Sequence, residues 1–133
     1  MSLIPVGTVG ERRFLVDAAN AISFLGHDDC RVLATPWMIL YMEMTSRDLV
    51  KPLLEPGEDT VGTEVNVRHL AASPMGFEVT FRAEVIAVDG RRVSFRVEAR
   101  DSQHVIGEGT HERAIIDVER FADRLRSKRS APA

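Results

Sequence analysis

Apolar and polar positions change period along the chain, and the changes mark its elements. From Thr35 to Leu54 (TPWMILYMEMTSRDLVKPLL) the apolar residues recur at helical spacing. Met38, Met42, Leu49 and Leu53 share one helix face, with Ile39 and Val50 beside it. Trp37, Leu40, Tyr41 and Met44, at i, i+3, i+4 and i+7, form a second apolar face on the N-terminal half. Arg47, Asp48 and Lys51 make the C-terminal half polar on its outer side. Thr35 is expected to cap this helix, with Pro36 at the first helical position, where a missing N–H costs nothing. Pro52 stops or kinks it near Lys51, and Glu55-Pro56-Gly57-Glu58 turns the chain.

Beyond that turn the period is two. Over Asp59–Leu70, Val61, Thr63, Val65 and Val67 point one way, and His69 falls in line with them. Gly62, Glu64, Asn66 and Arg68 point the other way. Phe77–Val88 is a strand with Phe77, Val79, Phe81, Ala83 and Val85 inward, and Asp89-Gly90 signals a type I′ hairpin. Arg91–Asp101 returns with Val93, Phe95, Val97 and Ala99 inward. The last strand spans His104–Asp117, where Gly107 and Gly109 signal close backbone approach or a bend. Val118–Lys128 follows as a short charged helix. Upstream, weak alternation over Glu11–Ala19 predicts a first strand, and Asn20–Val32 reads as an irregular segment placed to fold over the Trp37 face. Met1–Gly7 and Ser130–Ala133 are expected to be loose ends. A strand, a long helix, four strands in meander order and a terminal helix make an α+β domain spanning 1–133. One antiparallel sheet wrapped around one central helix is the hotdog architecture.

Composition narrows the function classes. With 133 residues and 44% hydrophobic content, one core is expected. A net charge of −3 supplies no basic field for nucleic acid. The single cysteine, Cys30, excludes an internal disulfide and fits a reducing compartment. The N-terminus has no basic stretch followed by an apolar one, and the longest apolar run, Trp37–Met42, is too short to span a bilayer. A soluble cytoplasmic domain is expected.

Two residues stand out chemically. Glu43 lies between Met42 and Met44, where the two helix faces meet, and a carboxylate there is expensive unless paired or used. Arg47, four residues on in the favourable acid-first order, would pair it structurally. His69 sits on the helix-facing side of its strand, as a satisfied core group or a proton shuttle. Thr35 and Glu43, eight residues apart, are separated by about 12 Å along the helix axis. With the Glu43 side chain leaning toward the N-terminus, His69 would fit between a hydroxyl and a carboxylate. Capping alone would also account for Thr35. His27-Asp28-Asp29-Cys30 has no second ligand pair at zinc spacing, and nothing beside Cys30 lowers its pKa. Gly107-Glu108-Gly109 lies inside a strand, so it is no phosphate loop. Arg120, Arg124, Arg126, Lys128 and Arg129 form a solvated face or meet a polyphosphate.

Ala34-Thr35-Pro36, then Tyr41-Met42-Glu43, Gly62-Thr63, Val67–Pro74 (VRHLAASP) and Ile106–Arg113 (IGEGTHER) carry a family resemblance. From about Val32 to Lys128 the chain resembles the fluoroacetyl-CoA thioesterase-like branch of the hotdog superfamily. The resemblance implies hydrolysis of an acyl-CoA thioester in a homodimer, with Thr35, Glu43 and His69 as the catalytic trio. It also implies that Gly62 offers a backbone amide near the acyl carbonyl and that Arg113 binds substrate. No metal or cofactor is called for beyond CoA as part of the substrate. The second apolar helix face is a separate motive for a homodimer. The fluoroacetyl enzyme of this branch carries a phenylalanine-lined lid, whereas Phe24 is the only aromatic residue in Asn20–Val32. Gly26 and Asp29 fall in that segment, and Pro36 stands where a glycine is expected. A small-acyl thioesterase without strong fluoroacetyl preference is therefore expected. A non-catalytic acyl-thioester-binding module is the alternative, since it would keep the pocket without needing Glu43 and His69 together. A hotdog hydratase would need an Asp/His pair after an asparagine–proline loop, which the sequence lacks.

Overall fold

The structure is a computed structural model that describes residues 3–23 and 26–132. Phe24 lies outside the described residues. The long helix α1 (Thr35–Val50) packs on the inner face of a five-stranded antiparallel sheet. The strand order is β1 (Val9–Leu15), β5 (Glu78–Asp89), β6 (Arg92–Arg100), β7 (Val105–Asp117) and β4 (Glu58–His69). Two-residue strands β2 (Ala21–Ile22) and β3 (Val32–Leu33) pair beside the helix entrance. Only β5, β6 and β7 form a meander. β4 pairs with β7, not with the strand that follows it, because its connection to β5 runs through Pro74, bridged to Val32, instead of a tight hairpin turn. β1 starts two residues before its expected position and closes the far edge against β5. At the β5–β6 hairpin Gly90 alone has positive φ, 59°, which is the pattern of a type II′ turn and not the expected type I′.

The buried stripe of α1 is Met38, Tyr41, Met42, Thr45, Ser46 and Val50. Tyr41 therefore belongs to the core and not to the outer face. Its ring stacks on Phe14 at 3.8 Å and meets Phe81 edge-on, and its hydroxyl accepts from Asn20 Nδ2 at 2.9 Å. Thr45 and Ser46 can be buried because their hydroxyls donate one turn back, to the carbonyls of Tyr41 and Met42. Trp37 and Leu40 remain 38% and 40% exposed, so the second apolar face is half the size expected. Leu53, expected in the core, is exposed because the chain leaves helical geometry at Val50 and continues as a 3-10 turn over Lys51–Leu53.

Two local departures shape the site. Ala34, extended and without a side-chain cap bond, occupies the cap position. Thr35 is thus the first helical residue, with Pro36 still inside the first turn where its missing N–H is harmless, and its hydroxyl is left for another partner. In β4 the register against β7 shifts between Gly62 and Glu64. This bulge reverses the alternation: Glu58 and Thr60 are buried before it, and Val67 and His69 turn inward after it. Gly62 therefore faces the helix, opposite to the side that uniform alternation assigns it.

Gly107 brings β7 against the helix, since a Cβ there would stand 2.5 Å from Met38 Sδ. Gly109 is as tightly placed, with a Cβ position 2.1 Å from the carbonyl oxygen of Asn66 on β4. The terminal helix α2 (Val118–Ser130) is capped by Asp117, whose carboxylate accepts from Arg120 N at 3.0 Å, and runs two residues past its expected end. No helix among the described residues is long and apolar enough to cross a membrane.

Candidate active site

His69 ends β4 opposite Gly107, and α1 begins beside it. The Thr35 hydroxyl and His69 Nδ1 are 2.7 Å apart. Burial pushes the His69 imidazole below its ordinary pKa of 6.5, and a contact with the Ala71 backbone pulls weakly the other way. His69 is thus held neutral, able to accept a proton from the hydroxyl. Its Nε2 is buried and has no hydrogen-bond partner among the described residues. The pair opens on a cavity of about 430 Å³ whose walls, from Ile22, Val32, Leu33, Pro36, Leu70 and Ala71, are mostly apolar. A base beside a hydroxyl at a helix N-terminus, where developing negative charge is favoured, can serve acyl transfer.

Glu43 is not paired with Arg47. That guanidinium turns instead to Asp59, with Nε to Oδ1 at 3.0 Å and Nη2 to Oδ2 at 2.6 Å. The bond holds the Asp59 carboxyl below, and Arg47 above, its ordinary value. The Glu43 carboxylate aims at Gly62. A Cβ on Gly62 would lie 3.2 Å from Glu43 Oε1, 3.3 Å from His111 Cε1 and 3.6 Å from Arg113 Nη1. Arg113 is buried, donating from Nε to Thr60 Oγ1 at 2.7 Å and from Nη2 to the Thr60 carbonyl at 2.8 Å. Burial lowers the Arg113 pKa, and the negative charge of Glu43 opposes that shift.

The structure brings the expected residues together as two groups. Thr35 meets His69; Glu43 meets Gly62 and Arg113. No hydrogen bond or ion pair among the described residues joins Glu43 to His69. Gly62 and His69 are seven residues apart on β4, on the order of 20 Å at a strand's rise per residue. The carboxylate leans toward Gly62 rather than toward the imidazole. Two buried polar residues of the second group, Thr60 and His111, escaped the sequence reading. His111 was detectable, since it shares a strand face with Arg113 and Ile115 at period two. Thr60 was not, because the bulge hides its phase. His27 and the turn Asp28–Cys30 are exposed on the surface.

A sheet wrapped around one helix, with a hydroxyl–imidazole pair at the helix start and a carboxylate two turns on, defines a hotdog-fold thioesterase. A family model described as fluoroacetyl-CoA-specific thioesterase matches residues 16–119. The fluoroacetyl-CoA thioesterase of Streptantibioticus cattleyicolor is 47% identical over 100 residues, covering 75% of this chain and 72% of that protein. A solved structure of the fluoroacetyl-CoA thioesterase FlK superposes with TM-score 0.86 at 38% identity, covering 97% of this chain and 98% of that one. A Thermus thermophilus member of the thioesterase superfamily superposes with TM-score 0.87 at 32% identity, over 97% and 96% of the two chains. The chain belongs to the fluoroacetyl-CoA-specific thioesterase family and is an acyl-CoA thioesterase.

Proposed function

We propose that this enzyme hydrolyses a small acyl-CoA to free acid and CoA as a cytoplasmic homodimer, with Thr35, Glu43 and His69 catalytic and Gly62 and Arg113 contacting substrate. The observation that carries the reading is the 2.7 Å contact between the Thr35 hydroxyl and His69 Nδ1 at the apolar cavity. Neutral His69 takes the proton of the attacking oxygen. The carbonyl carbon becomes tetrahedral, its oxygen stabilised by a backbone amide such as that of Gly62. Collapse expels CoA as thiolate, which receives the proton, and the oxygen of water ends in the acid. The exposed free thiol of Cys30, which a reducing compartment preserves, supports the cytoplasmic reading; periplasmic or secreted protein on fractionation would remove it.

The dimer is supported by β4. It is an edge strand of 12 residues whose outer row of backbone N–H and C=O groups is a template for pairing, and its central residues 62–66 are exposed. Antiparallel pairing of two β4 edges about that centre covers them. It also sets His69 of each chain opposite position 59 of the other, about 10 Å from that chain's Gly62 and half the distance to its own, so each site takes Thr35 and His69 from one copy and Glu43 from its partner. Release of free CoA from a panel of short acyl-CoAs tests the function. Turnover by wild type with loss of about a hundredfold in Glu43→Gln and in His69→Ala is expected. Near-normal turnover in Glu43→Gln on the best substrate would leave Glu43 structural.

A further inference from the structure

We propose that His111 is a positioning residue that holds Arg113 back from the Glu43 carboxylate; the inference rests on the reading that Glu43 takes part in hydrolysis. The hydrogen-bond directions in this buried group are fixed by chemistry. His111 is 2% exposed, and its ring lies near-parallel to Phe95. Nδ1 is 2.7 Å from the Glu64 carbonyl oxygen, which can only accept, so Nδ1 carries the hydrogen. On the other side Nε2 is 3.2 Å from Arg113 Nη1, which can only donate, so Nε2 offers its lone pair. His111 is therefore the neutral Nδ1–H tautomer. Burial lowers its pKa, with the Arg113 charge adding to the effect and the Glu64 carbonyl, Glu43 and Glu112 opposing it.

The consequence falls on Arg113. Thr60 occupies its Nε and Nη2, and His111 takes one edge of Nη1. A half-buried carboxylate close to a buried guanidinium would ordinarily close to a bidentate pair. Here no ion pair within 4 Å forms, and the two groups face each other across the space that only a glycine at 62 leaves open. A closed pair would engage both carboxylate oxygens and weaken Glu43 as an acceptor or base. The acceptor at His111 Nε2 competes for the Nη1 hydrogens and keeps the gap.

Long-range proton–nitrogen NMR on the wild-type protein near pH 7 tests the tautomer without any assay of activity. A neutral His111 protonated at Nδ1 is expected; an imidazolium or an Nε2–H ring overturns the proposal. Kinetics test the consequence. His111→Leu should lower kcat about tenfold or more while KM changes far less, and His111→Gln, whose amide oxygen can accept from Arg113, should restore most of it. A folded His111→Leu enzyme with wild-type kcat overturns the proposal. Where His111→Leu does not fold, His111→Gln decides, since a tenfold loss of kcat at unchanged melting temperature sinks the acceptor role. Wild type without thioesterase activity on any acyl-CoA would instead sink the reading of Glu43, and the tautomer measurement would still stand on its own.

Discussion

Mixing two inactive variants should restore activity. Within one chain the Glu43 carboxylate lies beside Gly62, and His69 lies on the order of 20 Å further along β4. Thr35 touches His69 and stands about 12 Å from Glu43 along α1, so the carboxylate and the imidazole are on the order of 15 Å apart, where two charges in water interact by only about 0.3 kcal/mol. A hundredfold effect on turnover requires about 2.7 kcal/mol. Direct interaction with His69 of the same chain is too weak to supply it, and the shared-site reading assigns the role to the partner's Glu43. In a heterodimer of His69→Ala and Glu43→Gln chains, one site has lost both residues and the other has kept both. Random exchange makes about half the dimers mixed, each with one working site, so about a quarter of wild-type CoA release should return. The assay is thiol release on the best short acyl-CoA after co-refolding or subunit exchange, with heterodimer formation verified by mass. A mixed sample with verified heterodimers and no more activity than its two parents would refute shared sites. Light scattering that finds a monomer at micromolar concentration would remove the dimer itself.

Gly62→Ala should cut turnover about tenfold or more with a small change in melting temperature, because the new Cβ would lie 3.2 Å from Glu43 Oε1, the free end of a flexible side chain. Unchanged kcat in that variant would mean the carboxylate is not used where it stands. Stability should fall on acidification below pH 6.5, because His69 and His111 both titrate below their ordinary value of 6.5 in the fold. The unfolded imidazoles take up protons first, so stability is complete above that pH and is lost as pH falls through the depressed folded values. Urea midpoints that stay flat from about pH 8 to about pH 5 would contradict those shifts. Fluoroacetyl-CoA should not be preferred over acetyl-CoA by about a thousandfold, a transition-state difference near 4 kcal/mol, and competition kinetics would expose such a preference at once.

The parts of this fold that were legible in the sequence are those where one period runs uninterrupted. Phe81, Ala83 and Val85 of β5, and Val93, Phe95, Val97 and Ala99 of β6, are all buried as their alternation dictates. The helix was legible as an element but not in its facing, because Tyr41 reads as apolar surface until Phe14 and Asn20 are known to meet it from distant parts of the chain. The strand order was not legible either. Which neighbour β4 takes depends on where its connection at Pro74 crosses, and hydrophobic pattern carries no information on that.

The site shows why its two halves differed in legibility. Thr35 and His69 follow regular geometry: one is the first helical residue, the other a residue in phase with Val67. The second half depends on the bulge at Gly62–Glu64, a single extra residue that leaves no pattern in hydrophobicity. The offset lets both halves of β4 face the helix, with Thr60 and Gly62 inward before it, where Thr60 holds the Arg113 guanidinium, and Val67 and His69 inward after it. The same bulge leaves residues 62–66 exposed at the centre of an edge strand. One irregularity therefore lets the carboxylate-facing glycine and His69 share the inner face of one strand, and it leaves the strand centre uncovered. Deleting Thr63 would remove the extra residue with Gly62 still opposite Arg113 and Glu64 opposite Glu112, which predicts a folded protein that keeps Gly62 inward and loses the irregular strand centre where the second copy would dock. Sedimentation of that deletion variant as an intact dimer would show that docking does not depend on the bulge.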